Sequence, residues 1–304
     1  VLVFTGCSTS GGSSSGDPAP LPDPAPESYR EESVSPETAD FTLSALEFVE
    51  NLGAGWNLGN TLDAYVAGQT GLNTETSWGQ PVTTQDMMAG LKASGLTTVR
   101  IPITWHNHVD SAFTVDEAWM DRVIEVVNYA LDEDLYVIIN IHHDNEKDVY
   151  FPDELHAARS MEFVTRIWKQ VALMFRNYDE KLIFEFLNEP RLVGYSNEWV
   201  WSDSDPYHSE AAEVIGALTQ SALNAIRATG GNNADRYVMI TPYAASPQAA
   251  QSSHFVIPDD TASDKLILSV HAYTPYVFAM QDPGVSTFTT ARQGEIDQFM
   301  GMLN

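Results

Sequence analysis

The 304-residue chain carries 42 acidic side chains against 15 basic ones, a net charge of −27, with 43% hydrophobic and 19% charged residues. Such an acidic field excludes nucleic acid and anionic membrane surfaces as partners. A single cysteine excludes an intramolecular disulfide framework, and no run of 18 apolar residues is available to span a bilayer.

In chain order, residues 1–8 read VLVFTGCS, an apolar stretch and small residues running into Cys7 and then a Gly/Ser tract. The pattern resembles the end of a bacterial lipoprotein signal, so residues 1–7 are expected to be its remnant, with lipid on Cys7. That predicts an extracytoplasmic protein, lipid-anchored at the bacterial cell surface or outer membrane, touching membrane only through that anchor. Residues 8–39, rich in Gly, Ser, Pro and acidic side chains, bury too little to offset ordering entropy and read as a linker.

From residue 40 onward, short apolar runs alternate with amphipathic stretches. Strands are predicted at Gly53–Leu58, Thr98–Ile103, Leu135–Ile141, Leu182–Leu187, Tyr237–Thr241 and Leu266–Val270, each rich in aliphatic residues as strands buried on both faces should be. Helices are predicted over Asp116–Glu133, Met161–Phe175 and Ser209–Thr229, the last ending at Gly230-Gly231. The alternation implies an α/β fold with a parallel sheet.

Five of the six strands run into polar or aromatic clusters at their carboxyl ends: Asn57 and Asn60; Arg100 and Trp105; His142, His143 and Asp144; Asn188 and Glu189; His271 and Tyr273. Side chains gathered from many strand ends fit a (β/α)8 TIM barrel better than a doubly wound sheet, which concentrates its site at one switch point. Six strands followed by the helical stretch Thr289–Asn304 amount to about six of the eight βα units, so residues 40–304 are expected to be a barrel incomplete at its carboxyl end. An open six-strand sheet would expose two unpaired edges.

The strongest single motif is Asn188-Glu189-Pro190 at the end of the apolar run LIFEFL. A carboxylate at a strand mouth in a partly apolar setting is suited to general acid work, and the proline forces the chain out of the strand. Together AGWNLGNTLDA, TVRIPITW, INIHHD, FEFLNEP and SVHAYTPY resemble glycoside hydrolase family 5, most closely its bacterial endo-β-1,4-glucanases. The resemblance implies retaining hydrolysis of internal β-glucosidic bonds in cellulose or related β-glucans, with Glu189 as general acid/base. It also implies that Asn188 binds the hydroxyl beside the reacting carbon and that Arg100 holds the nucleophile ionised. His142 and His143 would line the sugar site, His271 and Tyr273 would position the two carboxylates, and Asn57, Asn60 and Asp63 would contact the glycone. Xyloglucan, mixed-linkage glucan and mannan remain alternative substrates, and a non-catalytic carbohydrate-binding scaffold is the alternative outside the enzymes.

Retaining glycosidases need two carboxyl groups about 5 Å apart. Glu185 lies four residues before Glu189, about 13 Å along a strand, and reads instead as a buried interior group paired with a cation or hydroxyl. Glu295 falls in a polar helical stretch. The nucleophile is therefore expected outside this chain, and the 304 residues alone are expected to be inactive. No cofactor is expected, and no metal, because adjacent strand residues such as His142 and His143 should face opposite ways. Trp78, Trp105, Trp199, Trp201 and Tyr276 fall in loops at the cleft face and are expected to stack on sugar. Trp56, Trp119 and Trp168 read as packing. The protein is expected to be a monomer.

Overall fold

The computed structural model describes residues 2–4 and 39–303; Cys7 and nearly all of the expected linker lie outside them. In chain order the elements are β1 (Leu2–Phe4), α1 (Ala45–Leu52), β2 (Gly55–Asn57), α2 (Gln85–Ala93), β3 (Thr98–Ile101), α3 (Glu117–Asp132), β4 (Tyr136–Asn140), α4 (Ala157–Met174), β5 (Leu182–Glu185), α5 (Pro206–Ala228), β6 (Val238–Ile240), α6 (Pro247–Ala250), β7 (Leu266–Val270), α7 (Tyr276–Ala279) and α8 (Thr290–Leu303). The sheet order is β1-β7-β6-β5-β4-β3-β2. The six strands β2 to β7 pair in parallel in sequence order, a partial (β/α)8 barrel containing all six strands expected from the sequence.

Strand alternation divides the sheet into two faces. The outward set, including Val99, Ile101, Val137, Ile139, Leu182, Phe184 and Val238, is fully buried against α3, α4 and α5 in the main core. The inward set changes character along the strands. Near their amino ends it is apolar: Ile138, Ile183, Tyr237, Met239 and Ile267 form a second cluster closed from below by Ala45, Phe48 and Leu52 of α1. Phe48 stacks on Tyr237 with ring centroids 3.7 Å apart. Further along, the same inward face carries Asn57, Arg100, Asn140, Glu185 and Ser269; the registers Asn57↔Arg100, Arg100↔Ile138 and Asn140↔Glu185 put the first four on that face. An apolar floor therefore lies beneath a polar layer, and the site stands on that layer.

Helices α1 and α2 were not anticipated from the sequence. Helix α1 is short, but Ser44 and Glu47 form a reciprocal capping box at its start, which typically contributes about 1 kcal/mol, and its apolar stripe supplies the floor. Helix α4 begins at Ala157, four residues ahead of the expected start. Two expectations are corrected. Trp56 does not pack in the core: Asn57 faces inward, so alternation turns Trp56 to the outer face of β2, where it is 55% exposed. The β7 edge is also not open, because Leu2–Phe4 pairs antiparallel with Leu268–Val270. Trp119 and Trp168 are buried as expected.

Candidate active site

At the centre of the polar layer, Arg100 joins two strand ends, those of β2 and β5, through three contacts. Its Nε donates to Glu185 Oε2 at 2.7 Å, Nη1 to Asn57 Oδ1 at 2.8 Å and Nη2 to Asn188 Oδ1 at 2.8 Å. Glu185 is completely buried and also accepts from Ser269 Oγ and Asn140 Nδ2. Burial alone would raise its carboxyl, but the charge and hydrogen bonds of Arg100, with help from Ser269, hold it below the ordinary carboxylate range. Glu185 is thus the cation- and hydroxyl-paired interior group expected from the sequence, and its oxygens are committed. Asn188 Oδ1 is taken by Arg100, so its amide nitrogen is the group left to donate to a ligand.

Glu189 lies just beyond β5, where the ladder continues through the Asn188 N–H to the Ile141 carbonyl at 3.0 Å. Its Oε1 is 2.7 Å from His271 Nδ1, with both side chains mostly buried. His271 follows β7 directly and donates its backbone N–H to the Ala245 carbonyl, so a contact between two strand ends orients the carboxyl. Tyr273 is half exposed; burial of its ring, with the Glu189 charge, pushes its phenol up.

The β2 side of the cleft is a wall of rings. Trp78 donates its indole N–H to the Tyr65 carbonyl at 2.9 Å and lies 5.3 Å from the His143 ring. Tyr65 packs edge-on against His106 at 5.0 Å and donates to Glu146 at 3.2 Å. Asp63 is buried, its Oδ1 accepting the Thr61 N–H and its Oδ2 3.5 Å from His143 Nε2. Asn60 is exposed in a left-handed conformation at φ +63°, which asparagine tolerates.

The histidines do not obey the alternation expected of them. The regular strand ends at Asn140, so His142 and His143 sit edge to face, ring centroids 4.5 Å apart. With Asp63 they bring ligand-capable atoms within 4.8 Å of one another, the one such group among the described residues. Asp144 is not part of it: that carboxylate turns away and accepts the backbone N–H groups of Trp105 and His106. Burial and then the Arg100 charge hold the His142 imidazole neutral, well below its ordinary value.

Two expected sugar-stacking residues, Trp105 and Trp201, take other places. Trp105 is 1% exposed and donates to the Asn140 carbonyl beneath the cleft floor; the chain turns inward after Ile103. Trp201 stacks on His208 at 5.5 Å and contacts Tyr243 and His254, a packing role that its loop position concealed. Tyr276 stands 61% exposed on α7. Trp199, also exposed, lies under the Arg191 guanidinium at 3.8 Å. The sequence reading missed Tyr65, His106 and Asn140; only the last had a signal, a polar residue at an inward strand position.

A carboxylate, its histidine partner and a ring of amide, guanidinium and aromatic groups gather at the carboxyl ends of parallel strands, the face on which (β/α) barrels carry their active sites. Residues 62–303 match the family model for cellulase, glycosyl hydrolase family 5. The chain is 44% identical over 248 residues to endoglucanase B of Ruminococcus albus, covering 81% of this chain and 57% of that protein. It thus spans a little over half the length of that relative. Among solved structures, a family 5 lichenase from Caldicellulosiruptor sp. F32 superposes with a TM-score of 0.83 at 41% identity, covering 90% of this chain and 76% of that one. A broad-specificity endoglucanase from Ruminococcus champanellensis, solved with cellotriose, gives a TM-score of 0.80 at 42% identity, with coverage of 88% and 76%. The chain belongs to glycosyl hydrolase family 5.

Proposed function

We propose that this chain is the larger part of a retaining endo-β-1,4-glucanase in which Glu189 protonates the departing glycosidic oxygen and later deprotonates the attacking water. The observation that carries the reading is the Glu189–His271 contact at 2.7 Å beside the buried Arg100–Glu185–Asn188 network. In this scheme Asn188 Nδ2 binds the hydroxyl next to the reacting carbon, and the wall of Tyr65, Trp78 and His143 holds the glycone.

The nucleophile is proposed to come from sequence beyond Asn304. Glu185 is spent on Arg100, Ser269 and Asn140, and Glu295 is exposed on α8. The 304-residue chain should then release no reducing sugar from soluble β-glucan, whereas a protein extended through two further βα units should. In the extended protein, Glu189→Gln should lower kcat about 10²- to 10⁴-fold while glucan binding persists. Turnover by the 304 residues alone would overturn the assignment of the nucleophile; full activity of Glu189→Gln would overturn that of the acid.

The likeness to a lichenase supports a second substrate, mixed-linkage glucan; product analysis on cellulose and mixed-linkage glucan separates the two. The flanks of Cys7 support an extracytoplasmic, lipid-anchored enzyme. Cys7→Ala should abolish incorporation of labelled fatty acid and release the protein from membranes.

A further inference from the structure

We propose that Asn140 is a positioning residue that locks His142 in its Nε2–H form, so that within the Asp63–His142–His143 trio His142 offers a hydrogen-bond donor to a substrate hydroxyl and no free imidazole lone pair to a metal ion. The reasoning begins at the amide. Asn140 is 1% exposed, and one of its terminal atoms lies 2.9 Å from Glu185 Oε2 while the other lies 3.2 Å from the Ile103 N–H. Only a nitrogen can face the carboxylate and only an oxygen the N–H, so the amide has one orientation. The nitrogen's second hydrogen is then directed at His142 Nδ1, 3.0 Å away. A neutral imidazole that accepts at Nδ1 carries its proton on Nε2.

The consequence reaches past the hydrogen bond. Two imidazoles and a carboxylate within 4.8 Å are a common ligand set for zinc, yet a metal needs a lone pair and not an N–H. The chain Arg100–Glu185–Asn140–His142 thus carries the orientation of a buried ion pair out to the cleft wall. The donor role toward a sugar rests on the glucan reading; the tautomer does not.

The test uses the ¹⁵N-labelled chain, with long-range ¹H–¹⁵N correlations assigned by loss of the His142 signals in His142→Gln. Expected are an unprotonated Nδ1 and a protonated Nε2 on His142. An unprotonated Nε2, or a mixture of the two forms, overturns the proposal. Zinc ion alone should leave the His142 signals unmoved; joint shifts of His142 and His143 also overturn it. In Asn140→Asp, the new carboxyl shares one proton with Glu185 and accepts from Nδ1–H, so the tautomer should invert. The variant should then bind zinc at least about tenfold more tightly than the wild type, a gain that a further Asp63→Asn removes; no inversion overturns the proposal. Should that variant not fold, the wild-type spectrum decides alone. Added cellotriose should shift the Nε2 proton; if it does not while the tautomer stands, the donor role fails and the positioning of His142 survives.

Discussion

The two walls of the cleft are built on different terms. On the β2 and β3 side, Asn57, Asp63, Tyr65 and the Trp78 indole each have a hydrogen-bond partner. On the β7 side, His271 is tied to Glu189, but Tyr273, Tyr276, Val277, Phe278, Met280, Val285 and Phe288 are exposed. The first wall holds its geometry before any substrate arrives. The second offers apolar surface of a kind that soluble proteins normally cover.

The largest effect should come from the network that anchors the first wall. Arg100→Met leaves Glu185 buried without its cation, and we expect a loss of about 3–5 kcal/mol in urea unfolding. Adding Glu185→Gln should recover much of it, since the uncompensated charge is then gone. A loss below 1 kcal/mol for the single variant would show that the wall does not depend on that ion pair.

A smaller effect separates the walls by pH. His108, buried behind the first wall and stacked on Trp119 at 3.6 Å, is pushed down to about 4 by burial. Its folded-state value is thus below its unfolded value, so the unfolded chain binds the proton more readily. This contribution is complete above about pH 6.5 and is lost as pH falls toward 4. The expected slope is at most about 1.4 kcal/mol per pH unit, and His108→Gln should flatten it. An unchanged pH profile in that variant would assign the acid sensitivity elsewhere.

The smallest effect belongs to the second wall. Phe278 is 42% exposed, and Phe278→Ser should change the stability of the 304-residue chain by no more than about 0.5 kcal/mol. A cost above 2 kcal/mol would mean that the β7 wall is as tightly built as its opposite.

Much of this was legible from residues alone, for reasons that also explain the failures. The six parallel strands are buried on both faces, so their aliphatic runs announce them. Glu189 and His271 follow directly from where those runs end. The tryptophans were harder, because a strand's period fixes faces only within the strand. Trp56 could have been placed outside by noting that Asn57 must face Arg100. Trp105 lies past the last regular residue of β3, where alternation no longer holds. His142 and His143 escaped for the same cause, two and three residues beyond β4. Helices α1 and α2 are 8 and 9 residues long, too short for periodicity to stand out. Tyr65 and His106 joined the wall through loop geometry that no local pattern encodes.

Helix α1 also fixes which way the molecule looks out. The Asp40 backbone N–H donates to the Glu180 carboxylate, just ahead of β5, and the Leu43 carbonyl accepts from the Lys265 ammonium, just ahead of β7. The polypeptide therefore joins the barrel at its underside, with the catalytic mouth at the opposite pole. Residue 39 and α1 sit on the face away from Glu189 and His271, and substitutions there should reach the site only through the barrel floor.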